Sequence, residues 1–458
     1  MSFYTSDTPD DRRKMLDAIG VESIDDLFAD VPPGVRLDRP LDLPAAKTEF
    51  EVFDQLAALA GKNIHADREI SFLGAGMYDH YVPALIDSIL SRSEFLTPYT
   101  PYQPEVSQGG LQVMFEYQTA IAELTGLDVA NASVYEGPSA MAAAAYLAKL
   151  ENGRDRFVVS AAVNPQYRQT LKTNTRAYGG EVVEVPAPEG VTDPAALTAA
   201  IDERTAAVFV QNPNFFGSVE DLGGLVEAGK ATGALFVCVA DPLTLGILAP
   251  PGDFGADICV GEGQTLGNRL DFGGPSFGFF AATQRLIRRM PGRIAGETTD
   301  VDGRRGWVLT LQTREQHIRR EKATSNICTS QALNALAGVI YLAWLGRRGI
   351  VELGELMLKR TAYARQTLAA IDGVEPLFDR PVVREFAVKL DAPVETVLDR
   401  LALDGINGGY ALGADYPEHD NGLLLAITER RSREQIDLLA KHLGSAVAAH
   451  KYAVGASA

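Results

Sequence analysis

The chain has 458 residues, of which 46% are hydrophobic and 22% are charged, and its formal net charge is −18. A chain of this length and composition is expected to form a globular protein with more than one domain. The excess of acidic residues argues against the basic surfaces that bind nucleic acids and anionic membranes, so neither partner is predicted.

Residues 1–65 are predicted to form an N-terminal helical arm and linker. The segment Ser23–Asp26 has the composition of a helix start, whereas VPPGVRLDRPLDLP is too rich in proline to continue a helix. We expect such an arm to lie over another domain or subunit, because it cannot bury its own apolar residues. The first residues lack the apolar core of a secretion signal, which predicts a cytoplasmic protein.

Residues 66–330 are predicted to form a large α/β domain. The segment LQVMFEYQTAIAELTGL (111–127) has apolar residues at helical spacing and ends near Gly126. The runs RFVVSAAV, TAAVFVQNP, ALFVCVAD and ADICVGE are short and almost wholly apolar, which is typical of strands buried on both faces of a parallel sheet. The pattern predicts a doubly wound, mostly parallel sheet.

Residues 331–458 are predicted to form a small C-terminal α+β domain. After the helix TSQALNALAGVIYLAWLG, the runs VVREFAVKL (382–390) and GLLLAITE (422–429) indicate strands. PVETVLDRLALDGI and SREQIDLLAKHLGSAVAAH indicate helices, and Ser432 and Gln435 have the spacing of a capping box at the start of the second.

The strand ALFVCVAD ends in Asp241, at the edge of the sheet where open α/β proteins bind ligands. A strand, an acid and then a glycine-rich turn, here at residues 273–275, are typical of pyridoxal-phosphate enzymes, which carry a lysine just before that turn. Gln264 and Thr265 stand in its place, and residues 231–321 contain no lysine. An alternative role for Asp241 is that of a helix cap or a turn acid before Pro242.

The turn Glu136–Ser139 joins a predicted strand to a predicted helix. Backbone N–H groups and the Ser139 hydroxyl at a helix N-terminus can bind an anion. Pro138 removes one donor, however, and Glu136 would repel a phosphate if its side chain pointed inward. An ordinary helix start is therefore the alternative to an anion site at this turn. The three scattered cysteines and the histidines show no metal-binding spacing, so no metal is predicted.

Two further segments concentrate polar and aromatic groups. TPYTPYQPEVSQGG (97–110) contains Tyr99, Tyr102 and Gln103, which suit an interface or the rim of a site, the alternative being a surface turn. TREQHIRREKATSNICTSQ (313–331) suits either ordinary surface ion pairs or an anion-binding loop beside a basic cluster that binds an acidic partner. Its notable residues are Arg314, Arg319, Arg320, Lys322, Thr324, Ser325 and Asn326.

These segments, with YEGPSA, GEGQTLG and FGGPSFGFF, together resemble the P-protein family of the glycine cleavage system. Within it the chain is most similar to the alpha type, subunit 1 of the two-chain glycine dehydrogenase (decarboxylating). The resemblance implies the fold-type-I pyridoxal-phosphate-dependent transferase fold. It also implies an alpha–beta or alpha2–beta2 assembly with a homologous subunit 2 (beta), which would hold the cofactor on its own lysine.

The resemblance further implies a reaction and roles for the residues. With subunit 2, the enzyme would decarboxylate glycine on pyridoxal phosphate and pass the aminomethyl group to the lipoyl arm of H-protein. Gln264 and Thr265, in place of the catalytic His-Lys, leave this chain without a self-sufficient catalytic residue. The pocket that contains Glu136, Ser139 and Asp241 would then be vestigial. The remaining assignments are Thr324, Ser325 and Asn326 to the phosphate of subunit 2's cofactor; Tyr99, Tyr102 and Gln103 to the rim; and Arg314, Arg319, Arg320 and Lys322 to H-protein or the subunit contact.

Two alternatives remain. One is a self-sufficient pyridoxal-phosphate decarboxylase or aminotransferase that uses another lysine, and the gap in lysines across residues 231–321 disfavours it. The other is a purely structural or regulatory partner with no share in an active site.

Overall fold

The computed structural model describes residues 7–37, 39–327 and 329–455, with side chains to residue 451. Cys328, one of the three cysteines considered above, lies outside the described residues. The chain divides into two compact units, Met1–Ile64 and His65–Ala458. The predicted boundary between a large and a small domain at residues 330 and 331 stays a prediction.

The helices and strands of the described residues are numbered here in chain order. The α-helices are α1 (Pro9–Ile19), α2 (Glu49–Ala60), α3 (Ala84–Leu90), α4 (Ser93–Leu96), α5 (Gln108–Thr125), α6 (Gly137–Asn152), α7 (Pro165–Arg176), α8 (Pro194–Ala200), α9 (Leu222–Lys230), α10 (Gln316–Arg319), α11 (Ala332–Ala369), α12 (Val394–Leu403) and α13 (Arg433–Gly455). The strands are β1 (Ile70–Ser71), β2 (Val129–Ala130), β3 (Arg156–Ser160), β4 (Glu181–Val185), β5 (Thr205–Asn212), β6 (Leu235–Ala240), β7 (Ile258–Glu262), β8 (Gly278–Ala282), β9 (Ile294–Thr299), β10 (Arg305–Thr310), β11 (Val374–Pro376), β12 (Glu385–Leu390), β13 (Ile406–Asn407), β14 (Tyr410–Ala411) and β15 (Gly422–Ala426).

The first unit contains α1 and α2, each started by a capping box in which a threonine and an acid three residues later bond each other's backbone N–H groups. The segment predicted to start a helix near Ser23 forms a short 3-10 turn at Asp25–Phe28. Phe50 and Phe53 of α2 are both 72% exposed. The expectation that this arm covers another surface stays a prediction.

A seven-stranded sheet is the centre of the second unit, with the strand order β2-β8-β7-β6-β5-β3-β4. Strands β3 to β7 pair in parallel, and β8 runs antiparallel to both of its neighbours. The predicted mostly parallel sheet is confirmed. It places the carboxyl ends of β5, β6 and β7 along one edge.

Alternate residues of each strand pack against helices on opposite faces of this sheet, as the two-residue period of a strand requires. Phe157, Phe209 and Val237 belong to the core under α6 and α7. Val208 and Phe236 belong to the core under α8 and α9 on the other face. This doubly wound arrangement confirms the predicted fold class.

A second sheet of four antiparallel strands, in the order β11-β12-β15-β14, packs against α12 and α13. Strand β12 begins at Glu385, later than the predicted start at residue 382. The predicted capping box before α13 is present, since the backbone N–H of Ser432 donates to Gln435 Oε1 at 3.1 Å and that of Gln435 donates to Ser432 Oγ at 3.2 Å.

Helix α11 changes direction at Gly346, whose φ of 62° lies in the left-handed region that glycine adopts readily. Across the described ranges, no helix combines the length and the apolar composition that crossing a lipid bilayer requires.

Candidate functional site

A polar cavity lies at the carboxyl edge of the seven-stranded sheet. We call it the Asp241 pocket, and the residues that line it include Tyr78, Asp241, Glu262, Thr265, Arg384 and Glu385. A neighbouring cavity shares Asn164, Tyr167 and Glu262 with it and extends to Glu136. Strands β6 and β7 therefore position the site, and it is closed by Glu385 of β12 and by Arg384, which directly precedes that strand.

Asp241 follows the last residue of β6. Its Oδ1 accepts hydrogen bonds from the backbone N–H of Leu243 at 3.1 Å and from the Thr265 hydroxyl at 3.3 Å. Its Oδ2 forms an ion pair with the guanidinium of Arg384. Asp241 is thus a turn acid, as one prediction had it, and also the counterion of a buried arginine.

Arg384 is only 5% exposed, and its guanidinium carbon lies 3.2 Å from the centre of the Tyr78 ring. Its Nη1 lies 3.0 Å from Nε2 of His80, whose Nδ1 lies 2.6 Å from a carboxylate oxygen of Glu429. Burial alone would lower the pKa of Arg384, but Asp241, Tyr78 and Glu385 together outweigh that effect and the pKa is raised. The guanidinium therefore remains charged and neutralises Asp241.

Gln264 is 1% exposed and holds the backbone of Tyr78. It accepts from the Tyr78 N–H at 2.9 Å and donates to the Tyr78 carbonyl at 3.1 Å and to the Asn268 carbonyl at 2.9 Å. Its amide is fully engaged in fixing the chain, and the neighbouring Thr265 offers only a hydroxyl. Neither side chain supplies the amine that pyridoxal phosphate needs for covalent attachment.

Carboxylates of the chain itself cap the N-terminus of α6. The Glu136 side chain accepts from the backbone N–H of Ser139 at 3.2 Å. Glu262, at the end of β7, accepts from the Gly137 N–H at 3.0 Å and from the Ser276 hydroxyl. Burial raises the pKa of Glu262 to about 7. The anion cradle that the sequence suggested is therefore occupied by two acids.

The fold family implies pyridoxal phosphate, and the residues of this pocket do not fit that group. Positions 264 and 265 hold no amine, Asp241 is paired with Arg384, and the helix N-terminus that would receive a phosphate is capped by Glu136 and Glu262.

The rim residues lie on an exposed loop. Tyr99 and Tyr102 are 71% and 78% exposed, with ring centres 6.5 Å apart, and Gln103 is exposed before a short 3-10 turn. The loop is attached to the rest of the fold by the Arg293 guanidinium, which donates to the Thr100 hydroxyl. Their assignment to a rim or interface stays a prediction.

The loop Thr324–Asn326 is supported by the same segment of chain. The Thr324 hydroxyl lies 3.5 Å from the Met290 carbonyl, and the Ser325 hydroxyl accepts from the Ile327 N–H at 3.0 Å. The side chain of Asn326 is exposed. The structure thus attaches both predicted loops to Met290–Arg293, while their role toward a second subunit stays a prediction.

The predicted basic cluster separates into two kinds of residue. Arg314 is 8% exposed and donates to the carbonyls of Met290, Gly292 and Leu311, so its guanidinium is directed at its own chain. In contrast, Arg319, Arg320 and Lys322 are exposed. Only the latter three present charge at the surface, and Arg314 is better explained as a support of the loop.

Sequence reasoning did not identify Tyr78, Glu262, Arg384 or Glu385. Glu385 accepts from the Tyr78 hydroxyl and from the Ala75 N–H, both at 2.6 Å, and burial raises its pKa to about 7. Arg384 and Glu385 are adjacent charges inside the apolar run VVREFAVKL. Charged residues are rarely buried without partners. Two adjacent charges inside an apolar run therefore indicated a buried polar site, and this was the signal in the sequence that could have identified them.

The geometry defines the class of protein. The chain has the fold of the fold-type-I pyridoxal-phosphate-dependent transferases, with a pocket that lacks their lysine. It is similar to a sphingosine-1-phosphate lyase from Burkholderia pseudomallei, with a TM-score of 0.67 and 15% identity over 93% of this chain and 97% of that one. It is also similar to a NifS-like protein, with a TM-score of 0.61 and 14% identity over 83% and 99%. At these identities the likeness shows the fold alone.

More particularly, the chain belongs to the glycine cleavage system P-protein family, whose model matches residues 3–443. It is 53% identical to a probable glycine dehydrogenase (decarboxylating) subunit 1 from Carboxydothermus hydrogenoformans, over 96% of this chain and 99% of the relative. A crystal structure of inhibitor-bound glycine decarboxylase (P-protein) superposes with a TM-score of 0.89 and 45% identity, over 97% of this chain and 100% of that one. The resemblance inferred from the sequence is confirmed.

Proposed function

We propose that this chain is the lysine-free subunit of a two-chain, cytoplasmic glycine-decarboxylating enzyme, and that it acts only together with a homologous subunit 2. The pair would decarboxylate glycine and pass the aminomethyl group to the lipoyl arm of H-protein. Pyridoxal phosphate, bound by subunit 2, supplies the electron sink for the loss of carbon dioxide. The observation that carries the proposal is a pocket occupied by the chain's own side chains in a close relative of subunit 1 proteins.

The loop Thr324–Asn326 is proposed to bind the phosphate of the cofactor held by subunit 2. The Ser325 hydroxyl accepts a bond from Ile327 N–H, so its own hydrogen remains available for donation. The exposed Asn326 amide offers two further donors. Hydrogen bonds to a charged group are worth about 1.5–3 kcal/mol each, enough to affect cofactor retention.

The exposed loop that carries Tyr99, Tyr102 and Gln103 is proposed to form the rim of the shared site. Aromatic side chains with a polar end suit an edge that is part apolar and part wet. Arg319, Arg320 and Lys322 are proposed to attract an acidic partner, either H-protein or subunit 2. An alpha–beta pair and an alpha2–beta2 assembly both accommodate these roles.

The test of the function compares the chain alone with the chain co-expressed with subunit 2. We expect release of carbon dioxide from carboxyl-labelled glycine only from the co-purified pair in the presence of pyridoxal phosphate and lipoylated H-protein. Turnover by the isolated chain would refute the proposal and support a self-sufficient enzyme.

The test of the phosphate-binding loop is the double substitution S325A/N326A in the assembled complex. We expect at least a tenfold loss of cofactor retention, because two donors to a charged phosphate are removed. The matched control is T173A/N174A, which removes an exposed hydroxyl and amide from α7. Unchanged retention and turnover in S325A/N326A would instead favour a purely structural or regulatory subunit.

A further inference from the structure

The Asp241 pocket is closed by side chains of the same chain. We propose that Arg384 and Glu136 are resident occupants of the places that the fold family reserves for the pyridine and phosphate ends of pyridoxal phosphate, so that this pocket excludes the cofactor even when a lysine is supplied at position 265. The inference concerns this chain's pocket alone and does not depend on the proposed function.

Arg384 occupies the pyridine end. Its guanidinium is paired with Asp241 and lies over the face of Tyr78, so both the acid and the ring face are taken. The guanidinium also contacts His80, and His80 in turn is hydrogen-bonded to Glu429. Binding a pyridine nitrogen at Asp241 would leave a buried arginine without its counterion, which is strongly unfavourable.

Glu136 occupies the phosphate end together with Glu262. Their carboxylates accept the N–H groups of Ser139 and Gly137, the donors that a phosphate at the start of α6 would use. A phosphate placed there would meet like charge from Glu136 at close range. The geometry therefore opposes an anion at this helix end.

The space at the start of α6 is also filled. A Cβ added to Gly137 would overlap the hydroxyl of Tyr167 and lie 2.9 Å from the backbone nitrogen of Glu262. Asn164, which lines both cavities, donates its side-chain amide to the Ala75 carbonyl at 3.0 Å and its backbone N–H to Gln211 Oε1 at 2.8 Å. Donors that a ligand would need are engaged within the chain.

The first arm of the test restores only the missing amine, as T265K in the full chain. The protein is incubated with pyridoxal phosphate, reduced with borohydride and digested, and the pyridoxyl label at residue 265 is measured by mass spectrometry. We expect label there no higher than at exposed lysines such as Lys359. Stoichiometric label at residue 265 would overturn the proposal.

The second arm removes the occupants as well, as T265K/E136S/R384M. We expect label at residue 265 at least tenfold above that of T265K, whereas the control T265K/E352S/R348M, altered at an exposed ion pair of α11, should behave as T265K. No gain in a triple variant that melts cooperatively would also overturn the proposal. If the triple variant does not fold, T265K/E136S and T265K/R384M are tested instead. Label at residue 265 at least tenfold above that of T265K is again expected, and no gain in a variant that melts cooperatively would overturn the proposal.

Discussion

The Asp241 pocket and the exposed loops held by residues 290–293 differ in where their polar side chains are directed. In the pocket, Asp241, Gln264 and Glu385 all have partners within the chain. On the loops, Tyr99 and Lys322 point to solvent. The difference indicates that the pocket stabilises this chain, while its capacity for contact with other molecules lies at the loops.

The free-energy cost of burying a charge explains why the polar groups of the pocket are paired within the chain. A buried carboxylate at the end of β6 must be hydrogen-bonded and paired, or it destabilises the fold. Where a cationic pyridine nitrogen does not serve as counterion, the chain has to supply one, and Arg384 does so. On this account, substitutions in the pocket change stability and substitutions on the loops change association.

The largest effect is expected for R384M, which leaves the mostly buried side chain of Asp241 without its counterion. Breaking a buried pair from one side typically costs about 3–5 kcal/mol, and we expect a loss of that size in chemical denaturation. D241N/R384M should recover part of it, because the unpaired charge is removed. A loss below about 1 kcal/mol for R384M, similar to that of the exposed R348M, would contradict the role of the pair.

The next effect is expected for G137A, which forces a methyl group into the space of the Tyr167 hydroxyl. Overpacking of this kind costs about 3 kcal/mol, measured as a lower midpoint of denaturation. The control is G109A, in the first turn of α5, where a Cβ would meet nothing within 4 Å. That variant should be neutral or slightly stabilised, because alanine favours helix.

The stability of the protein is expected to depend on pH through Glu262, because burial raises the pKa of this carboxyl from 4.5 to about 7. A raised pKa means that the folded state binds more protons than the unfolded state, so this contribution is fully present below pH 4.5 and is lost as the pH rises through about 7. The contribution is at most about 3.5 kcal/mol, since one pKa unit is worth about 1.4 kcal/mol.

The measurement compares melting temperatures of the wild type and E262Q between pH 4.5 and 8. Any hydrogen bond lost in E262Q is lost at every pH, whereas the stability of E262Q relative to the wild type should improve as the pH rises. A difference that is constant across this range would show that Glu262 keeps an ordinary pKa.

The smallest effect on stability is expected for R319Q/K322Q, because both side chains are exposed and surface ion pairs contribute about 0–1 kcal/mol. Their effect should instead be on association with subunit 2 or H-protein, with weaker binding and a smaller dependence on salt. R314Q is the informative counterpart, since it removes buried donors to backbone carbonyls and should lower stability by about 1–3 kcal/mol. Equal stability of R319Q/K322Q and R314Q would contradict the distinction between exposed surface charges and a buried arginine that supports the loop.

The sequence was sufficient to predict β3, β5, β6 and β7 of the main sheet, whereas β4 and β8 were not predicted. The apolar runs ending in Ala240 and Glu262 became β6 and β7, because uninterrupted apolar strands fit only a sheet covered on both faces. The position of Asp241 at the sheet edge followed from the same pattern.

The partners of Asp241 could not be predicted in the same way. Arg384 and Tyr78 are far from Asp241 in the sequence and come together only when the second sheet packs near the edge of the first. Local periodicity specifies which face a residue occupies and carries no information on such long-range pairs. The turn Glu136–Ser139 was correctly placed at a helix start, but the direction of the Glu136 carboxylate depends on contacts around Gly137 that only the fold defines.

The most direct test of the central claim is to map the cofactor in the assembled complex. The co-purified subunits are reduced with borohydride in the presence of pyridoxal phosphate, digested, and analysed for pyridoxyl-lysine. The account predicts a stoichiometric label on a lysine of subunit 2 and no stoichiometric label on any lysine of this chain. A stoichiometric label on a lysine of this chain would contradict it.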